Sequence, residues 1–111
     1  LFRSALIVVL SQTVLDGGRP NASHAFDAGA AAMSLALQGN AMGLYVHTMG
    51  GFDAERARVA LEVPEQFAVN VMMAIGHPGP VEELPERLRE REVQSARRPV
   101  QELIFKGKFA R

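Results

Sequence analysis

A chain of 111 residues with 12 basic and 12 acidic side chains and no cysteine has room for one small domain. Zero net charge removes any bulk attraction to nucleic acid or to an anionic membrane. The lack of cysteine excludes disulfides, thiol nucleophiles and Cys-ligated metals, and fits a reducing cytoplasm. At 48% hydrophobic and 22% charged, the composition is that of a folded globular chain. No stretch is long and apolar enough to span a membrane.

The first predicted element is a strand over Ala5–Leu10. Its continuous apolar run calls for burial on both faces and for neighbours on both sides. Asp16 to Asn21 reads as a loop. Ser23 is the expected N-cap of a helix from about His24 to Met42, with Asp27 in its first turns. That helix is apolar nearly all round, which predicts burial nearly all round. Gly29 and Gly39 each cost about 1 kcal/mol against alanine in a helix interior, so close packing is the expected compensation. Gly43 is the expected C′ glycine.

Leu44–His47 reads as a short extended segment. It leads into Thr48-Met49-Gly50-Gly51-Phe52-Asp53. Two adjacent glycines there let backbone approach a flat or bulky object. Asp53 then caps a helix from Ala54 to about Glu62, with Ala57, Ala60 and Leu61 inward and Pro64 at its end.

Phe67–Ile75 is the clearest strand. Phe67, Val69, Val71, Met73 and Ile75 share one face, and the other face is also mostly apolar, so the strand is central. Asn70 is its one polar residue and reads as a satisfied core amide. Gly76 to Pro80 ends it. Glu82–Glu92 is charge-dense and reads as a surface helix from Pro85 or a solvated linker. Pro99 opens a last turn over Val100–Ile104. Phe105 and Phe109 call for cover.

The front half asks for more burial than a free-standing chain of this size provides. An intimate oligomer, or a piece of a larger fold, is therefore expected. His24, His47 and His77 do not cluster, which argues against a metal site, and no Ser-His-Asp signature is present. No residue is nominated as a general acid or base.

Several pieces in a fixed order then carry a resemblance: the Ala5–Leu10 strand; Phe26-Asp27-Ala28-Gly29 opening a long helix; Gly43-Leu44; Met49-Gly50-Gly51-Phe52-Asp53; Leu61-Glu62-Val63-Pro64-Glu65; Ala74-Ile75-Gly76-His77-Pro78; and Arg97-Arg98-Pro99 before Val100–Ile104. The chain resembles the C-terminal half of the FMN-dependent nitroreductase family. The resemblance implies an α+β fold around a mixed, mainly antiparallel sheet flanked by helices. It also implies an intertwined homodimer, with this chain as the C-terminal half of a single domain over residues 1–111.

It further implies an oxidoreductase in which FMN is reduced by NADH or NADPH and reoxidised by a nitroaromatic, quinone or related acceptor in a ping-pong cycle. The segment matching Thr48, Met49, Gly50 and Gly51 lies against the isoalloxazine ring. Arg97 matches a basic position at the phosphate or ribityl chain, and Arg98 is adjacent. The implied partner is a second copy or the N-terminal half. A second reading is a non-catalytic or truncated relative that keeps the interaction scaffold and does not bind FMN on its own.

Overall fold

The structure, a computed structural model, describes residues 2–109. They fall into two compact units, divided between Gly79 and Pro80. The first contains strand β1 (Phe2–Gln12), helix α1 (His24–Ala41), strand β2 (Tyr45–Met49), helix α2 (Ala54–Ala60) and strand β3 (Phe67–His77). The sheet order is β1-β3-β2, and both pairings are antiparallel.

β3 is the central strand, paired on both sides, as its two apolar faces predict. The expected single face of Phe67, Val69, Val71, Met73 and Ile75 is corrected, because the bulge at Asn70 pairs Val69 with Leu10 and Val71 with Val9 and so puts Phe67 and Val69 on the opposite face. Val71, Met73 and Ile75 share a face with Val9 and Ile7 of β1 and with Thr48 and Val46 of β2. Met73 is 0% exposed and is the deepest side chain of the unit. Helix α1 lies on this face, with Ala28 and Gly39 buried against it. Gly39 earns its place there, because a Cβ on it would stand 2.6 Å from Val46 Cγ2. The register slips between Val9 and Leu10, so Asn70 is the extra residue of a bulge in β3.

Two expectations about burial are corrected. Among the described residues, β1 pairs only with β3 and forms one edge of the sheet. Leu6 and Leu10 on it are exposed. Helix α1 is covered on one side only: Phe26 is 79% exposed and Leu37 65%. A three-stranded sheet reaches only one stripe of a helix, and Phe26 and Leu37 on the opposite side face outward, with Met33 at the border.

The helix termini show how local chemistry sets the chain path. At the end of α1, Gly43 has φ +74°. Its N–H donates to Asn40 O (2.9 Å), and the Leu44 N–H donates to Gly39 O (2.9 Å), the paired bonds of a Schellman motif. At the start of α1, Ser23 holds the cap position, its carbonyl accepting from the Asp27 N–H (3.0 Å) while its side chain makes no cap bond to the helix backbone. Its hydroxyl donates instead to Asp27 Oδ2 (2.8 Å), which corrects the expected cap bond. At the start of α2, Asp53 Oδ1 accepts from the Arg56 N–H (2.9 Å), as expected of a cap. Helix α2 stops at Ala60, so Ala60 and Leu61 are exposed rather than inward. Arg58 takes the inner place. Its guanidinium donates to Val63 O (3.3 Å), Pro64 O (3.1 Å) and Phe67 O (2.8 Å).

The second unit has a 3-10 turn at Val81–Glu83, helix α3 (Glu86–Arg89) and a 3-10 turn at Val100–Glu102. The charge-dense stretch thus forms one short helix, and Pro85 precedes it at the cap position rather than at N1. Pro99 opens the last turn as expected. The Phe105 and Phe109 rings meet at 4.5 Å between centroids. They cover each other in part, and both remain exposed.

Candidate functional site

The six candidate residues divide between the two units. Thr48 and Met49 are the last two residues of β2, paired with Met73 and Met72 of β3. The strand runs two residues past the predicted end at His47, because β3 continues to supply ladder partners. Gly50 and Gly51 follow immediately, in the connection to α2. Arg97 and Arg98 belong to the second unit.

The double glycine is held from both sides, by the β2–β3 ladder before it and by the Asp53 cap after it. Neither glycine has a positive φ. Among the described residues, no atom beyond the adjoining residues lies within 4 Å of where a Cβ on either would stand. Backbone conformation and internal packing therefore give no reason for glycine here. The exposed backbone is open to something outside the chain.

Beside this segment is a cavity of about 500 Å³ between α1 and the sheet. Its helix wall is built of alanines, Gly29 and Met33; its sheet wall is Val9, Val71, Asn70 and Thr48. The lining is mostly apolar, and Thr48 joins it to the double-glycine segment. Sequence reading did not assign Gly29 or Asn70 to a site. The close packing expected at both helix glycines is found at Gly39 and corrected at Gly29, where a Cβ would meet nothing within 4 Å.

Asn70 is oriented by a polar relay through three elements. Its Nδ2 donates to Ser11 Oγ (2.8 Å), near Val9 O (3.4 Å) and Ala68 O (3.3 Å). Ser11 Oγ lies 2.8 Å from His24 Nδ1. Ser11 Oγ thus bridges the Asn70 amide and the His24 ring. Ser11 is 7% exposed. The relay confirms the expected satisfied amide and ties the start of α1 to β1 and β3.

In the second unit, Arg97 Nη1 donates to Ser95 Oγ (2.6 Å) and Ser95 O (3.4 Å). Arg98 Nε donates to Glu102 Oε2 (3.2 Å). Both arginines are exposed, and each keeps further N–H donors for an anion. Among the described residues no group of His, Asp and Glu is arranged to hold a metal ion, and no helix is long and apolar enough to cross a membrane.

The sequence model of the nitroreductase family matches residues 1–77. The chain belongs to that family. The match covers every strand and helix of the first unit, including the Thr48–Gly51 segment, and ends before Arg97 and Arg98. A solved structure described as an oxidoreductase containing FMN is 39% identical, with a TM-score of 0.87 over 95% of this chain and 55% of that one. The nitroreductase-like protein ydfN of Bacillus subtilis is 30% identical, with a TM-score of 0.59 over 75% of this chain and 36% of that one. A 15.4 kDa protein of Mycolicibacterium smegmatis is 34% identical over 107 residues, which are 96% of this chain and 71% of that protein. The chain thus spans about half, or less, of the solved nitroreductase-fold chains that it matches.

Proposed function

We propose that this chain forms the flavin-contacting part of an FMN-dependent oxidoreductase. In this reading, reducing equivalents come from NADH or NADPH and go to a nitroaromatic, quinone or related acceptor in a ping-pong cycle. The observation that carries the reading is the open backbone at Gly50 and Gly51, held rigid by β2 and by the Asp53 cap, with no internal need for glycine. It is supported by family membership and by the similar chain described as containing FMN.

The residues present fit the group. Gly50 and Gly51 leave a cradle that a Cβ would narrow, so the flat ring can approach the main chain. Thr48 and Met49 flank that contact, Thr48 with a hydroxyl and Met49 with a polarizable thioether. Arg97 and Arg98 supply forked donors that match phosphate geometry. When bound, FMN supplies the electron-transfer chemistry, and the protein positions the ring and keeps water from it. The rest of the pocket comes from beyond these residues, from a second copy or from the N-terminal half of the family's domain. Exposed Phe26 and Leu37 and the edge of β1, unpaired among the described residues, are surfaces that such additional chain would cover.

The alternative is a relative that keeps the interaction scaffold and does not take up FMN alone. Incubation with FMN followed by removal of free cofactor separates the two. The proposed function predicts a yellow protein that bleaches anaerobically with NADH or NADPH and recolours with a quinone. A colourless protein contradicts it and leaves the alternative.

A further inference from the structure

Strand β1 pairs with β3 on one side, and within the first unit nothing pairs with its other side. The Thr13 N–H donates to Gln66 O (2.8 Å), just before β3. Antiparallel backbone groups alternate, so those of Ser11, Val9 and Ile7 also face β3, and those of Gln12, Leu10, Val8 and Leu6 face away. The Gln12 carbonyl is taken by Asn21 Nδ2 (2.9 Å). Among the described residues, the outward row at Leu10, Val8 and Leu6 meets no chain partner. The usual devices that blunt such an edge are missing. From Ser4 to Leu15 the sequence has no charged residue and no proline. The extra residue of the Asn70 bulge lies in β3, which leaves β1 regular from Ala5 to Gln12.

We infer that β1 pairs antiparallel with β1 of a second copy, about a two-fold axis at Val8. The inference stands apart from the flavin reading and commits this edge to a copy of the same chain. The strand is self-complementary about Val8. A two-fold there sets Val8 against Val8 of the second copy, Leu6 against its Leu10, and Leu10 against its Leu6. These are the residues whose backbone groups face outward, so the row satisfies itself as a ladder. Their side chains alternate with Val9, which lines the cavity against α1, and so lie on the other face of the sheet. Leu6 is 62% exposed there and Leu10 39%, and each leucine pair adds cross-strand contact. The second free edge, on β2, has five residues against eleven in β1. A β1–β2 contact would be head-to-tail and would continue into a filament, whereas the two-fold closes.

Sedimentation velocity of the full 111-residue chain, over about a hundredfold range of concentration, tests this. The expected result is a monomer–dimer equilibrium. Leu6→Lys combined with Leu10→Lys sets like charges opposite each other and is expected to weaken the dimer by about tenfold or more. Leu6→Glu combined with Leu10→Lys sets opposite charges there and is expected to restore it. Circular dichroism and thermal unfolding verify each fold. A wild type that stays monomeric, or that grows beyond a dimer, overturns the inference. So does a dimer that survives the two lysines unchanged. Equal weakening by the Lys–Lys and Glu–Lys pairs also overturns it, since the contact would then depend on the leucines and not on this register. If the two-lysine variant does not fold, Leu6→Glu combined with Leu10→Glu replaces it, with the same outcomes.

Discussion

A Cβ at Gly39 would lie 2.6 Å from Val46 Cγ2, closer than real Cβ contacts come. Val46 is β-branched and sits in a strand, where its χ1 has little freedom to move away. Gly39→Ala is therefore expected to destabilise the fold by about 1 kcal/mol, because the packing clash outweighs the gain in helix propensity. Gly29→Ala, which meets nothing, is expected to stabilise by about 0.5–1 kcal/mol. Urea unfolding of the two variants checks this, and the opposite signs are the result to look for.

Arg58 should matter more to stability than any other charged residue near the site. Its guanidinium reaches three carbonyls of the α2–β3 connection, at Val63, Pro64 and Phe67. Its contact with Glu55 is long at 3.7 Å, and the Glu55 side chain is 83% exposed. Arg58→Ala is expected to cost about 2 kcal/mol, and Arg58→Lys to recover little, since an ammonium lacks the planar fork. Glu55→Ala should leave the unfolding midpoint unchanged. A loss at Glu55 as large as at Arg58 would assign the effect to the ion pair instead.

Much of this geometry was legible in the sequence where the signal is local. The two apolar faces from Phe67 announced the central strand, Asp53 announced a cap, and Gly43 a helix stop; all three are present, although the bulge at Asn70 interrupts the expected alternation. Burial was not legible in the same way. The apolar runs in β1 and α1 state that surface wants cover without saying what covers it, and within the described residues Leu6, Phe26 and Leu37 remain exposed. Non-local polar contacts were equally silent. Ser11 and His24 are 13 residues apart and Asn70 is 59 beyond Ser11, and no local pattern marks them as partners. The strand end at Met49 was missed because the ladder with β3, not local composition, sets it.

Arg97 and Arg98 give a prediction about which part of the cofactor they meet. If they hold the phosphate, Arg97→Ala should weaken FMN binding by about tenfold or more and leave riboflavin, which lacks the phosphate, unaffected. Arg98 is already hydrogen-bonded to Glu102 at 3.2 Å, so Arg98→Ala should have the smaller effect. Fluorescence titrations with the two flavins measure this. Equal losses for FMN and riboflavin would remove the phosphate role.

The most direct measurement is the affinity of FMN for the wild type and for Gly50→Val, each verified as folded. Among the described residues, no atom beyond the adjoining residues lies near the position of a Cβ on Gly50, and its φ is not positive, so valine there should leave stability within about 0.5 kcal/mol of wild type. If the ring lies on this backbone, Gly50→Val should abolish FMN uptake or weaken it by about a hundredfold. FMN bound equally well by a folded Gly50→Val protein would contradict the account.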